Sequence, residues 1–358
     1  MGCVDSKYID SKASRSREAV AEGFHTIYDL DAAILGSGAF ATVRVAVHNA
    51  SKKKYAIKIV DKGKLGKTDE LALKDEITVL KELEHPNIIR LYSVFNEPEY
   101  YYLVTELMNG GELFDRIASK VSYNEDEARN VTRTLLKVLE FCHSKQVAHR
   151  DLKPQNLLLT SKNSDIDIKV ADFGFAKKCG ADGHFKTQCG TPEYVAPEIL
   201  NSVPYDTKSD MWSMGCILYA LLGGYVPFYG KNQRELFREI RGGKYEFHDE
   251  YWAHVSKDAK DLVASLLETF PKKRLSANEA LETKWMKEST VTMKSRALDL
   301  TLPALKKFTA RDKVRRAVLT VVAKNKLTAL GYQFRHDLTF SNPQEKNDSQ
   351  EKKNIFGF

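Results

Sequence analysis

The chain has 358 residues, 42% hydrophobic and 29% charged, with a formal net charge of +7. These proportions fit a soluble globular protein, folded as one large domain or as two ordinary ones with tails. No run of about 18 apolar residues marks a membrane span, and no apolar segment near the N-terminus marks a secretory signal, so secretion is not expected. The five cysteines (Cys3, Cys142, Cys179, Cys189 and Cys216) are odd in number and scattered, which suits free thiols in a reducing cytosol. The charge is uneven. Residues 291–358 hold 14 Lys/Arg against 6 Asp/Glu, so the basic character lies in the C-terminal tail and the body is close to neutral.

The first residues, Met1-Gly2-Cys3-Val4-Asp5-Ser6, match the N-myristoylation pattern M-G-x-x-x-[ST]. One acyl chain holds a membrane only marginally, and Cys3 can carry a second, palmitoyl group. The alternative is an unmodified tail that begins Met-Gly by chance. A folded domain is expected from about Tyr28. Leu35-Gly36-Ser37-Gly38-Ala39-Phe40-Ala41-Thr42-Val43 reads as strand, glycine loop, strand. Two glycines let the backbone approach phosphates and Phe40 can cap the tip, but the third glycine of G-x-G-x-x-G is Ala41, and the pattern alone is weak. Tyr55 to Val60 is an apolar strand with Lys58 inside it. A buried lysine is costly unless paired; a phosphate and a carboxylate would pair it, and the alternative is a lysine snorkelling from a strand edge.

Leu71 to Leu83 has helical spacing and carries Glu76, the natural partner of Lys58, with Asp75, Glu82 and Glu84 facing solvent. His85-Pro86-Asn87 ends that helix. Ile88 to Phe95 and Tyr100 to Leu107 read as strands, and Asn109-Gly110-Gly111 as a turn before a helix at Glu112. A long buried helix is expected from Asp126 to Cys142. It leads into Val147-Ala148-His149-Arg150-Asp151-Leu152-Lys153-Pro154-Gln155-Asn156, with Asp172-Phe173-Gly174 sixteen residues beyond Asn156. Asp151 can accept a hydroxyl proton, Lys153 can balance charge on a moving phosphoryl group, and Asn156 and Asp172 can hold a metal ion. Leu157 to Leu159 and Ile168 to Val170 form a short strand pair, and His149 reads as a core ring beside the site.

With Ala196-Pro197-Glu198, these motifs stand in the order of the eukaryotic protein kinase catalytic domain, which the chain resembles from about Tyr28 to Met286. The resemblance implies an α+β bilobal fold. A small, mostly β lobe would span about 28–107, with one key helix, and a large, mostly α lobe 108–286. It further implies an ATP site of Leu35, Gly36, Ser37, Gly38, Ala39, Phe40, Val43, Ala56, Lys58, Glu76, Thr105, Glu106, Met108, Glu112, Asn156, Leu158 and Asp172. Thr105 would guard the back pocket, the backbone of 106–108 would hold the adenine, and Asn156 and Asp172 would ligate Mg²⁺, with Mn²⁺ as a substitute. Asp151 would be the base and Lys153 would steady the γ-phosphate. Asp210 would brace the catalytic loop, and Glu198 would pair with Arg274; the usual Asp-Pro before that arginine is Phe270-Pro271 here. Arg150 beside the base calls for an anion, for which a phosphate on Thr187, placed there by an upstream kinase, is the candidate; a loop ordered without phosphate is the alternative. Thr191 is expected as a partner of Asp151 and Lys153.

Gly110-Gly111-Glu112-Leu113-Phe114-Asp115 and the run from Cys189 to Glu198 resemble the calcium/calmodulin-dependent branch, types I and II. There Glu112 would recognise an arginine three residues before the target hydroxyl. One departure is Gln155, where the family usually has glutamate; it removes a carboxylate from the basic-substrate site. Lys306 to Thr320 resembles the calmodulin-binding segment of the type II enzymes. It is a basic amphipathic helix with Phe308, Arg315 and Arg316 and an apolar face of Val314, Val318, Leu319, Val322 and Leu327. Between Lys306 and Lys326 there are eight basic residues and one acid. Such a helix fits calmodulin's acidic groove; anionic lipid is the alternative. Segment 291–330 would thus be autoinhibitory and calmodulin-binding, with 291–305 lying across the large lobe. Residues 1–27 and 331–358 would be tails, the latter polar and disordered. Thr301 aligns with the type II activating threonine, but Leu298 stands where arginine is expected, so self-phosphorylation there is not expected. The whole implies a monomeric, cytoplasmic Ser/Thr kinase, peripheral at a membrane if acylated, acting on protein substrates and not on nucleic acid. Its rival is a pseudokinase scaffold, against which Lys58, Glu76, Asp151, Asn156 and Asp172 together argue.

Overall fold

The computed structural model describes residues 23–330 except 39, 40, 163, 165, 181, 182, 186 and 188, and of 37 and 319–330 the backbone alone. The small lobe opens with a short helix α1 (Phe24–Ile27) and strands β1 (Tyr28–Ser37), β2 (Ala41–His48) and β3 (Lys54–Asp61). Helix α2 (Lys67–Glu82) follows, then β4 (Leu91–Asn96) and β5 (Tyr100–Thr105). The five strands form one antiparallel sheet in the order β1-β2-β3-β5-β4. Alternate residues of β3 and β5 point to opposite faces. Ile57, Tyr102 and Val104 therefore pack with Phe24 and Tyr28 behind the sheet, while Val60, Tyr101 and Leu103 pack with Leu73 of α2 on the other face. Phe24 is fully buried and stacks on Tyr102, ring centroids 4.2 Å apart. The fold thus starts a few residues before the expected Tyr28.

Helix α2 starts four residues earlier than its apolar spacing indicates, because Asp69 accepts the backbone N–H of Gly66 and satisfies the first turn. The strand expected at Ile88 begins instead at Leu91. Residues 87–89 face the other lobe, exchanging backbone hydrogen bonds with Val170.

The large lobe begins with β6 (Gly111–Glu112), α3 (Leu113–Ala118), α4 (Glu125–Ser144) and β7 (Val147–Ala148). Strands β8 (Leu157–Leu159), β9 (Ile168–Val170) and β10 (Lys177–Lys178) follow, then α5 (Pro197–Leu200), α6 (Lys208–Gly223) and α7 (Gln233–Gly242). It continues with α8 (Asp249–Trp252), α9 (Lys257–Leu266), α10 (Ala277–Leu281), α11 (Lys284–Lys287), α12 (Thr290–Lys294) and α13 (Thr301–Leu330). Asn124 and Glu127 form a reciprocal capping box on α4, at 3.1 and 3.2 Å. Helix α6 is buried along its length and forms the axis of the lobe. Phe270, in the place of the usual aspartate, is exposed at the surface.

The lobe does not stop at Met286. Met293, Leu298, Leu302 and Leu305 are all part of its core. Segment 291–305 is therefore structural, and the stretch that reaches the front of the lobe lies farther on, at 308–316. There Phe308 packs near Phe114 and Asp312 is buried. Thr301 is 1% exposed and donates its hydroxyl to the Leu222 carbonyl at 2.6 Å, so in this conformation it is out of reach of a kinase.

Candidate active site

The register of the small-lobe sheet builds one wall. Gly36 faces Val43 across β1 and β2, and Val43 faces Lys58 across β2 and β3. Ala56 faces Thr105 across β3 and β5, and the Thr105 hydroxyl donates to the Ala56 carbonyl at 3.3 Å. The glycine loop is pinned at its root by the Gly38 N–H on the Ala41 carbonyl, at 2.7 Å. Leu35 is exposed along this wall. Ala39, Phe40 and the lipidation residues Gly2 and Cys3 lie outside the described residues.

Lys58 meets both oxygens of Glu76, at 2.7 and 2.8 Å, so the paired reading of this lysine holds. Burial pulls its ammonium pKa down, but Glu76 and Asp172 outweigh burial and the net shift is upward. Asp172 responds in kind. Its place between the lobes pushes its pKa up, while Lys58, Lys153, His149 and the Gly174 N–H pull harder and the net shift is down. Both groups are therefore charged at neutral pH.

The opposite wall is the loop after β7. Asp151 is buried, with Lys153 Nζ at 2.5 Å from one carboxylate oxygen and the Thr191 hydroxyl donating to the other at 2.7 Å. Lys153 also donates to Thr191 at 2.9 Å, as expected for that threonine. Asn156 donates its amide to the Asp151 carbonyl at 2.8 Å. That leaves its side-chain oxygen turned the other way, and its backbone carbonyl accepts the N–H of Ala171, beside Asp172, at 2.8 Å. An amide oxygen and a carboxylate are hard donors of the kind Mg²⁺ takes, so these residues fit a divalent ion.

Arg150 and Asp172 both have positive φ, 65° and 59°, a conformation costly for non-glycine residues. Asp210 compensates at Arg150: its two oxygens accept the N–H groups of His149 and Arg150 at 2.9 and 2.8 Å, and His143 bonds it at 2.9 Å. His149 is a core ring, packed 4.7 Å from Phe173. The Arg150 guanidinium donates to the Phe175 carbonyl at 2.6 Å and to Tyr205 at 3.3 Å, and lies over the Phe185 ring. Tyr205 in turn donates to the Thr187 carbonyl at 2.6 Å, and Thr187 is exposed. Sequence reasoning missed Tyr205, because nothing local marks it as the link between Arg150 and the loop. Glu198 and Arg274 form a bidentate pair at 2.7 and 2.9 Å.

The stretch 106–108 that links the two lobes is held by Glu106, which accepts the Arg90 N–H at 2.7 Å and pairs with Lys169 at 2.7 Å. Met108 follows it into β6, where Glu112 faces Leu158 across β6 and β8. The Glu112 carboxylate accepts Arg316 of α13 at 2.9 and 3.2 Å. Next to it Lys313 pairs with Asp115 at 2.7 Å, Arg315 meets Glu193, and Gln155 donates to Asp312 at 2.8 Å. Val314 and Val318 of the same helix are 64% and 54% exposed. The Leu319 side chain lies outside what the structure describes.

The protein kinase domain family matches residues 30–286 of this chain. The chain is 47% identical over 255 residues to myosin light chain kinase A of Dictyostelium discoideum, covering 71% of this chain and 86% of that protein. It is 40% identical over 300 residues to calcium-dependent protein kinase 5 of Plasmodium falciparum, covering 83% of this chain and 52% of that one. It is 39% identical over 287 residues to calcium/calmodulin-dependent protein kinase type II of Caenorhabditis elegans, covering 80% and 40%. The chain thus spans about half or less of the length of the last two.

Proposed function

The chain belongs to the protein kinase family, on its calcium/calmodulin-dependent serine/threonine branch, and from that premise we propose that its tail helix holds it off and calcium-calmodulin releases it. ATP is the phosphoryl donor and a divalent metal accompanies it. Asn156 and Asp172 would hold Mg²⁺, with Mn²⁺ as a substitute, and such an ion would supply positive charge to neutralise the phosphates. In this reading Lys58, oriented by Glu76, contacts the α- and β-phosphates. The substrate hydroxyl gives its proton to Asp151 while Lys153 balances the charge on the moving phosphoryl group.

The observation that carries the reading of the tail is the Arg316 fork on Glu112. The carboxylate expected to bind a substrate arginine is held by an arginine of the chain itself, so α13 and a basic substrate compete for it. Val314 and Val318 remain at the surface as an apolar edge for calmodulin's groove. Calmodulin shifts the population toward the active state because it binds the freed helix better than the docked one.

The test uses the full chain, because a cut at Thr290 would remove the core residues Met293, Leu298 and Leu305. Phosphorylation of a basic peptide is measured with and without calcium-calmodulin. The wild type should be slow alone and fast with calmodulin. The triple variant Lys313→Glu, Arg315→Glu, Arg316→Glu should be fast without it, and Asp151→Asn should be inactive throughout. A wild type already fast and indifferent to calmodulin refutes the reading of the tail, and lipid vesicles are then tried next. We extend the proposal to phosphorylation of Thr187 by an upstream kinase, and to a cytoplasmic monomer attached to membranes by acylation at Gly2 and Cys3. Incorporation of labelled myristate tests the last.

A further inference from the structure

We propose that Gln155 makes the substrate cleft select a carboxylate close to the arginine that Glu112 binds, so that this kinase takes mixed acidic–basic peptides and not uniformly basic ones. The proposal rests on the reading that α13 lies where the substrate binds.

The carboxylates that α13 meets there are each matched by a basic residue: Glu112 by Arg316, Asp115 by Lys313 and Glu193 by Arg315. Gln155 stands among these acids as an amide. Opposite it the helix presents Asp312, the one acid among eight basic residues between Lys306 and Lys326. Asp312 is 9% exposed, and its carboxylate accepts the Gln155 amide at 2.8 Å. A carboxylate can only accept, so its presence fixes which end of the amide faces it. The Gln155 side-chain oxygen points away, buried and without a hydrogen-bond partner. Residue 155 therefore offers a donor where its neighbours offer acceptors, and the helix answers with the opposite charge pattern.

A glutamate at 155 would bring two carboxylates within hydrogen-bond distance, and one would have to take a proton or leave. Conversely, an arginine set against Gln155 finds no charge to meet. The spacing carries over to a bound peptide. Asp312 and Arg316 are four residues apart on a helix, a rise of about 6 Å, which an extended peptide covers in about two residues. A substrate with its arginine on Glu112 therefore brings a side chain within two residues of that arginine to Gln155.

The experiment uses full-length protein with calcium-calmodulin present. Peptides keep arginine at −3 and carry Asp, Gln or Arg in turn at −5, −4, −2 and −1, and kcat/KM is measured for wild type, Gln155→Glu, and Gln155→Glu with Asp312→Lys. The double variant restores an opposite charge across from residue 155 but gives up the contact of Asp312 with Arg316; with calcium-calmodulin present throughout, the ratio of two peptides on one enzyme reads peptide preference apart from the tail. At one of these positions the wild type should use Asp at least as well as Arg, and both variants should move the ratio about tenfold toward Arg, the scale of one charge-assisted hydrogen bond. A ratio unchanged within twofold at every position overturns the proposal and leaves Asp312 as an ordinary helix partner of Arg316, which it meets at 2.9 Å. Failure of the autoinhibition reading looks different: rates would not rise on adding calmodulin, while the ratio of two peptides on one enzyme would still report on Gln155.

Discussion

Glu76 shows how much one side chain decides at the residue scale. It reaches Lys58 from another element through two charge-assisted bonds, and without it Asp172 alone is left to offset the charge of the lysine. Glu76→Gln keeps the shape and removes the charge. A charge-assisted hydrogen bond contributes roughly 1.5–3 kcal/mol, so kcat/KM for ATP should fall about ten- to a hundredfold, and an unchanged value would remove the pair from the mechanism. Asp210 permits a pH prediction. Burial pushes its pKa up, but His143, His149 and the Arg150 N–H outweigh burial and the net shift is down. A depressed carboxylate contributes stability above its unfolded pKa of about 3.9 and loses it as pH falls through the lower folded value. The stability gap between wild type and Asp210→Asn, followed by denaturant titration, should be flat near neutrality and shrink only below about pH 4.

At its root the tail helix is fixed by packing, one stretch upstream of its charge pairs. Gly224 ends α6 with φ of 82°, and a Cβ there would lie 2.7 Å from the Ala304 Cβ and the Thr301 carbonyl. Gly224→Ala therefore adds backbone strain of about 1–2 kcal/mol and pushes against the first turn of α13. Hydrogen exchange over 301–312 should speed up, and activity without calcium should rise. Unchanged exchange would show that α13 docks by its charges alone. Helix α2 is tied differently, by Glu82 to Lys178 at 3.2 Å and Asp75 to Lys177 at 3.6 Å. Since β10 pairs with β7, these bonds connect the helix carrying Glu76 to the strand leading into Asp151. The acids are as exposed as their spacing indicated, and their partners could not be read from it.

On the scale of the whole molecule, buried charges join distant parts of the large lobe. Glu125 accepts Ser256 at 2.6 and 2.8 Å and Trp285 at 2.9 Å, and lies 3.3 Å from Arg296. Glu198 and Arg274 join α5 to the chain before α10. Removing one member of a buried pair strands the other, so Glu198→Ala should cost roughly 3–5 kcal/mol, while Glu198→Leu with Arg274→Met should cost much less. Chemical denaturation distinguishes these, and equal losses would mean that packing and not charge sets the value.

The kinase family, the fold class and the order of the elements are legible in short local stretches of the sequence. Strand alternation, helix spacing and short motifs are local, and Asp151, Asn156, Asp172 and Lys58 each lie in one. The register that sets Gly36, Val43 and Lys58 side by side is not local, since β1 shifts register against β2 before Gly36. Tertiary packing alone sets the pairings across long separations: Arg316 with Glu112, Gln155 with Asp312, Tyr205 between Arg150 and Thr187. It also decided that the lobe runs on through Leu305. A composition count sees eight basic residues and one acid in the tail. Where that acid matters depends on which surface the helix meets, and burial of Leu302 and Leu305 turns the Asp312 face inward.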